Sequence, residues 1–166
     1  MFYTGIGSRQ TPNHILLGMH MIGRSLVSKG WTLRSGGADG ADTAFELGCQ
    51  SVGGPCEIFL PWNGYNGSSS SLFDIPKEAF TIAQLVYGNR WDYIKRPVQL
   101  LMARNVQQVL GKTLDNPSSF VVCWTQDGIT DGNQRSSKSG GTGQAIAVAS
   151  RYDIPVFNLA SNTINE

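Results

Sequence analysis

Apolar residues fall into short runs that alternate with longer stretches of helical spacing. Residues 2–6 (FYTGI) read as a strand. Residues 15–27 follow, with Ile15, Leu16, Met19, Ile22, Leu26 and Val27 recurring at helical spacing. Pro12 suits the first turn of that helix, and Lys29-Gly30 ends it. WTLRS (31–35) is a second strand, and a glycine turn leads to a helix over 41–48. CEIFLPW (56–62) is a third strand, stopped by Pro61. NGYNGSSSS (63–71) is a polar loop, either a surface linker or a mobile lid.

Helices are predicted over 76–87 and 97–114, separated by GNRWDYIKR. SSFVVCWT (118–125) is a fourth strand. It is nearly all apolar, which predicts a central position buried on both faces. A long polar loop occupies 126–139, a helix 143–152 and a last strand 154–159. A loop of that length points to function or disorder, and this one is expected to order over a ligand. No repeat or domain boundary appears, so 1–166 reads as one domain.

Strands alternating with helices imply parallel βαβ units and right-handed crossovers. Five strands fit a three-layer Rossmann-like α/β fold with a mainly parallel sheet in the order 3-2-1-4-5. The first and fourth strands then lie side by side. Ligands bind open α/β sheets at the carboxyl ends of such a switch point. Three turns converge there: GIGSR, SGGADGAD and SGGTGQ.

The 20 glycines exceed the usual share of about 7%, and they cluster in these turns. Gly140, Gly141 and Gly143, flanked by Ser139, Thr142 and Gln144, lie between a buried strand and a helix. Bare backbone there admits a close ligand. The unpaired N–H groups and the helix dipole favour an anion. A tight turn that needs glycine for packing alone fits the same residues. Around the first turn, Gly7 frees the backbone, Ser8 offers a hydroxyl, and Arg9 is either a bidentate phosphate grip or a surface charge. In the second motif, Arg34, Ser35, Gly36 and Gly37 lead to Asp39 and Asp42. Either acid caps the next helix or accepts ribose hydroxyls. Glu46 lies one helical turn beyond Asp42 and is an alternative acid or base partner.

Arg104 and Asn105 stand in LMARNVQQVL, where Arg104 either reaches the pocket or forms an ion pair. Trp62 and Trp124 end strands at the ligand edge, with Thr125 next to Trp124. They are stacking platforms for a base or core residues, and Trp91 is a third aromatic of the same kind. No cofactor or metal is implied. His14 and His20 do not pair, and no zinc spacing, phosphate-binding P-loop or GxSxG appears. The three cysteines form no CxxC pair and read as reduced thiols of a cytoplasmic protein. No secretory signal or membrane-spanning run is visible. The net charge of +1 supplies no bulk attraction to nucleic acid, which argues against it as a partner.

The three turns, in this order with ARN between them, resemble the SLOG superfamily. That group includes the DNA-processing protein A family and the LOG phosphoribohydrolases. The likeness extends to a compact phage and bacterial group carrying GSR…TP, LRSGGADGAD, LPW and GGTGQA. It implies binding of a nucleotide-derived small molecule, such as an ADP-ribose-like or nucleoside phosphate ligand, in a dimer or larger homo-oligomer. A sensor or a sponge for an immune signal, encoded by a phage against host defence, extends that implication. LOG enzymes carry PGGxGTxxE and an earlier helix arginine. Here Ser139 replaces the proline, Gln144 the threonine and Ala147 the glutamate, while Arg104 takes the place of the arginine. An N-glycosidase needs that carboxylate, so the expectation is a binder rather than an enzyme. Glycosidase activity through another acid and single-stranded DNA binding are the alternatives.

Overall fold

A computed structural model describes residues 1–161. Its sheet holds five parallel strands in the order β3-β2-β1-β4-β5, the order expected from the βαβ pattern. The strands are β1 (Phe2–Gly5), β2 (Thr32–Ser35), β3 (Cys56–Ile58), β4 (Val121–Cys123) and β5 (Val156–Asn158). Helices α1 (Asn13–Val27) and α2 (Ala41–Gln50) cover one face. Helices α3 (Lys77–Tyr87), α4 (Arg96–Leu110) and α5 (Gly140–Arg151) cover the other. This is a Rossmann-like α/β fold.

Alternation along the strands sorts side chains between two cores. Tyr3, Leu33 and Val122 pack with Met19 and Phe45 beneath α1 and α2. Val121 and Cys123 pack with Val106, Ile146 and Val148 beneath the other three helices. β4 is buried on both faces, as its apolar run predicts.

Two glycines let α1 and α2 touch backbone to backbone. A Cβ on Gly48 would stand 2.0 Å from the His20 carbonyl oxygen, and one on Gly23 would stand 2.6 Å from that of Phe45. Gly48→Ala must therefore push the helices apart. It is expected to destabilise the protein by about 2–3 kcal/mol, read from urea unfolding.

Among the boundaries that differ from the sequence pattern, three have a clear local reason. β3 stops at Ile58, because the chain turns from the sheet toward Pro61 and Phe59 instead bridges Leu72. α4 ends at Leu110, where Gly111 takes φ +89°. α5 begins at Gly140 rather than Gly143, so the glycines form the first turn of the helix itself. The 126–139 connection has structure of its own. It contains a 3-10 turn at Gly132–Gln134, and Asp127 and Arg135 tie it down.

Candidate functional site

The carboxyl ends of β1 and β4 open onto a cleft of about 500 Å³. Gly7, Ser8 and Arg9 from the β1 turn form one side. Ser139, Gly140, Gly141 and Thr142 form the opposite side, and Asp42, Arg104 and Asn105 lie between them. Half of the residues singled out from sequence are thus brought to one place.

The α5 end of the cleft is built for an anion. The N–H groups of Gly140, Gly141 and Thr142 have no intrahelical acceptor, and Ser139 makes no side-chain cap. Its hydroxyl instead donates to Asp127 Oδ2 and accepts the Ser136 N–H. Burial pushes the Asp127 carboxyl up, but hydroxyl donation from Ser139, Ser136 and Thr125 outweighs it and holds the group below its ordinary range. Asp127 thereby fixes the loop as an acceptor. Gly140 adopts φ +60°, and a Cβ there would meet nothing within 4 Å, so the approach to the helix end is open.

Two cations flank this end. Arg9 donates to the Tyr65 hydroxyl at 3.0 Å, and Lys138 is exposed. Neither has a carboxylate partner among the described residues. Ser8 Oγ accepts the Gln10 N–H, and its own proton is not donated to any described residue.

The floor is a buried polar knot. Asp42 and Arg104 are 4% exposed each and face each other across Gly36. A Cβ on Gly36 would lie 2.7 Å from Arg104 Nη1 and 2.8 Å from Asp42 Oδ2. Arg104 donates to the carbonyls of Gly36 and Phe59 and to Asn105 Oδ1. Its guanidinium lies 5.5 Å from the centre of the Tyr65 ring. Asn105 in turn donates to the Gly141 carbonyl. Arg104 therefore holds the ends of β2 and β3 beneath the cleft, and Asn105 anchors the glycine turn.

Burial raises the Asp42 carboxyl to about 6; the Arg104 charge and the N–H groups of Ala38 and Gly7 oppose that rise. Desolvation lowers Arg104, against the attraction of Asp42. Asp42 ties the first two glycine turns together from the floor of the cleft.

The other residues singled out from sequence stand outside the cleft lining. Arg34 is 2% exposed; it pairs with Glu57 at 2.9 Å and donates to the Asn116 carbonyl and Ser118. Ser35 donates to the Gly5 carbonyl, and Thr125 is bonded to Asn158. Gly36, Gly37 and Gly143 sit where a Cβ would crowd Gln108, Leu60 or Ser139. Asp39 accepts from Asn66. Gln144 donates to the Ala83 carbonyl and accepts from Arg135, which turns it toward α3. Trp124 packs into the α1–α2 core. Trp62 is 39% exposed and meets Tyr65 edge-on. Glu46 is held by Gln50. Ala147, the position matched to the LOG glutamate, is covered by Gly132, whose Cβ would come within 2.7 Å of it.

Tyr65, Leu101, Met102 and Lys138 also line the cleft and were not singled out. Tyr65 carried one usable signal, an aromatic ring inside a run of glycine, asparagine and serine. Leu101 and Met102 read as ordinary core residues of α4.

No family model matches the sequence, and no curated protein matches it. Among solved structures, DNA processing protein A from Helicobacter pylori matches with a TM-score of 0.58 and 20% identity. The match covers 98% of this chain and 66% of that protein, so this chain spans about two thirds of its length. The two share the Rossmann-like fold.

That neighbour binds single-stranded DNA, which overturns the exclusion of nucleic acid drawn from net charge. A protein of the same fold takes such a ligand, so a whole-chain sum is no ground for ruling it out. Physically, a net charge sums over the whole chain, whereas a local field depends on which charges lie close, and Arg9 and Lys138 share the cleft with the α5 N-terminus. Among the described residues, no helix is long and apolar enough to cross a membrane.

Proposed function

We propose that the protein binds single-stranded DNA, holding a backbone phosphate in the cleft between Arg9 and the α5 N-terminus. The carrying observation is the convergence of two unpaired cations, Arg9 and Lys138, on a helix end left bare at Gly140 and Gly141. A phosphate there accepts backbone N–H bonds, gains from the dipole and meets a guanidinium. The fold shared with a single-stranded DNA-binding protein supports the same ligand. The likeness of GSR, SGGADGAD and SGGTGQ to the SLOG pattern supports a phosphate at this edge.

The strand is held rather than cut. Ala147 has no acid to offer, Gly132 fills the space a larger side chain would take, and Asp42 is buried and engaged by the Ala38 N–H.

Fluorescence anisotropy with a labelled oligothymidylate tests this binding. Affinity is expected to fall with salt, with a log–log slope near −0.7 per phosphate neutralised. Arg9→Ala should weaken binding whatever the base sequence and shallow the slope by roughly 1. Absence of binding at low salt, or a variant equal to the parent, would refute it.

A second reading has its own observation. The cleft volume of about 500 Å³ falls within the range of roughly 300–1,000 Å³ typical of small-molecule sites. A free nucleotide-derived ligand would occupy the same phosphate cradle. Competition separates the two: a nucleoside phosphate that binds when oligonucleotides do not establishes the small-molecule ligand.

A further inference from the structure

The cleft has a neighbour. A smaller cavity of about 250 Å³ opens on the far side of the α5 N-terminus, between the end of α3 and the start of α4. Tyr87, Val98, Arg135, Ser136 and Gln144 line it, and it shares Met102, Ser139, Gly140 and Gly141 with the main cleft. Those four shared residues form the divide. Gly140 carries nothing that would rise above the ridge, and the space over it is empty to 4 Å.

The two cavities differ chemically. The main cleft holds Arg9 and Lys138, neither with a carboxylate partner among the described residues, whereas Arg135 is occupied. It donates to the carbonyls of Gly132 and Val86 and to Gln144 Oε1. Among the described residues, no free cation therefore faces the smaller cavity. What it offers is apolar surface from Val98 and Met102, the ring of Tyr87, and a polar edge of Ser136, Ser139 and Gln144. Trp91 holds that ring edge-on, with centroids 5.9 Å apart. A fixed aromatic ring over an apolar wall suits a nucleobase, which stacks without regard to sequence.

We infer that the smaller cavity is a base-stacking subsite for the neighbouring nucleotide, so that a bound strand crosses the α5 N-terminus with its phosphate on the glycine ridge and one base against Tyr87. This deepens the single-stranded DNA reading above and rests on it. It also gives the bare ridge a purpose that a mononucleotide site does not need, namely passage of a continuous chain.

The test compares thymidine 5′-(methyl phosphate), which carries one diester charge, with thymidine di- and tetranucleotides by calorimetry. Parent protein and Tyr87→Leu are both measured. Leucine keeps the apolar contact with Trp91 and removes the stacking face. The dinucleotide is expected to bind the parent about tenfold more tightly than the methyl ester. Tyr87→Leu should erase that gain and leave methyl ester affinity unchanged, which also shows the variant to be folded. Equal affinity for all three ligands in the parent overturns the subsite and leaves phosphate binding standing. So does a gain that survives Tyr87→Leu, or a variant weakened equally toward every ligand. If no ligand binds the parent, both the subsite and the DNA reading fall.

Discussion

Arg104→Met is expected to destabilise the protein by about 3–5 kcal/mol at pH 8, because it removes one member of a buried charged pair and strands the rest. In a chain of this size that lowers the melting temperature by roughly 10 °C or more. The guanidinium donates to the carbonyls of Gly36 and Phe59, and methionine leaves both without that donor. Asp42 loses the nearest positive charge that offsets its burial.

The loss should depend on pH in a set direction. Asp42 titrates at about 6 in the folded parent, above its ordinary value of 3.8. An acid raised on folding binds protons more readily in the native state, so its penalty grows as pH rises between those two values. Without Arg104 the folded value climbs beyond 6. The parent and variant curves then diverge above about pH 6 and converge below it, leaving only the cost of the lost hydrogen bonds. Chemical denaturation at pH 8 and pH 5 should show the smaller deficit at pH 5. A deficit equal at both values would mean that Asp42 does not feel Arg104, and that the knot acts through packing alone.

The topology was legible because it depends on local signals. The V-V-C run of β4 could be satisfied only by burial on both faces, and each glycine turn marks a strand passing into a loop or helix. The cleft was legible for the same reason, since Gly7 and Gly140 stand at the carboxyl ends of adjacent strands. What was not legible depends on partners far away in sequence. Arg34 shares a motif with the glycines that follow it, yet it lies back from the carboxyl edge against the end of α4, where Glu57, Asn116 and Ser118 satisfy it. Gln144 lies one helical turn beyond Gly140, close enough to suggest a ligand contact. The α3 carbonyl of Ala83 directs its amide away from the main cleft, to the wall of the smaller cavity. Arg104 and Asn105 line the cleft, but their hydrogen bonds show them supporting its walls. Whole-chain charge misled because it averages over positions, whereas the cleft brings Arg9 and Lys138 to one helix end.

Thr142→Glu separates the fold from the site most sharply, because the two effects have opposite signs. Thr142 is the third residue of α5, beyond Ser139, and lines the main cleft. A glutamate there suits the helix: it faces the positive end of the dipole and can reach back to unpaired N–H groups. The fold should gain about 0.3–1 kcal/mol, or at worst lose nothing. The same carboxylate lies where a phosphate is expected. Two unit charges about 4 Å apart at an effective dielectric of 20 repel by about 4 kcal/mol. Binding of a single-stranded oligonucleotide should therefore fall by at least about 100-fold, with an unchanged or higher melting temperature. Thr142→Gln, similar in size and uncharged, should keep affinity within a few-fold of the parent. Anisotropy and thermal unfolding on the same preparations read both effects. If Thr142→Glu binds as the parent does, no phosphate sits at the α5 N-terminus. If Thr142→Gln loses as much as Thr142→Glu, bulk rather than charge closes the cleft.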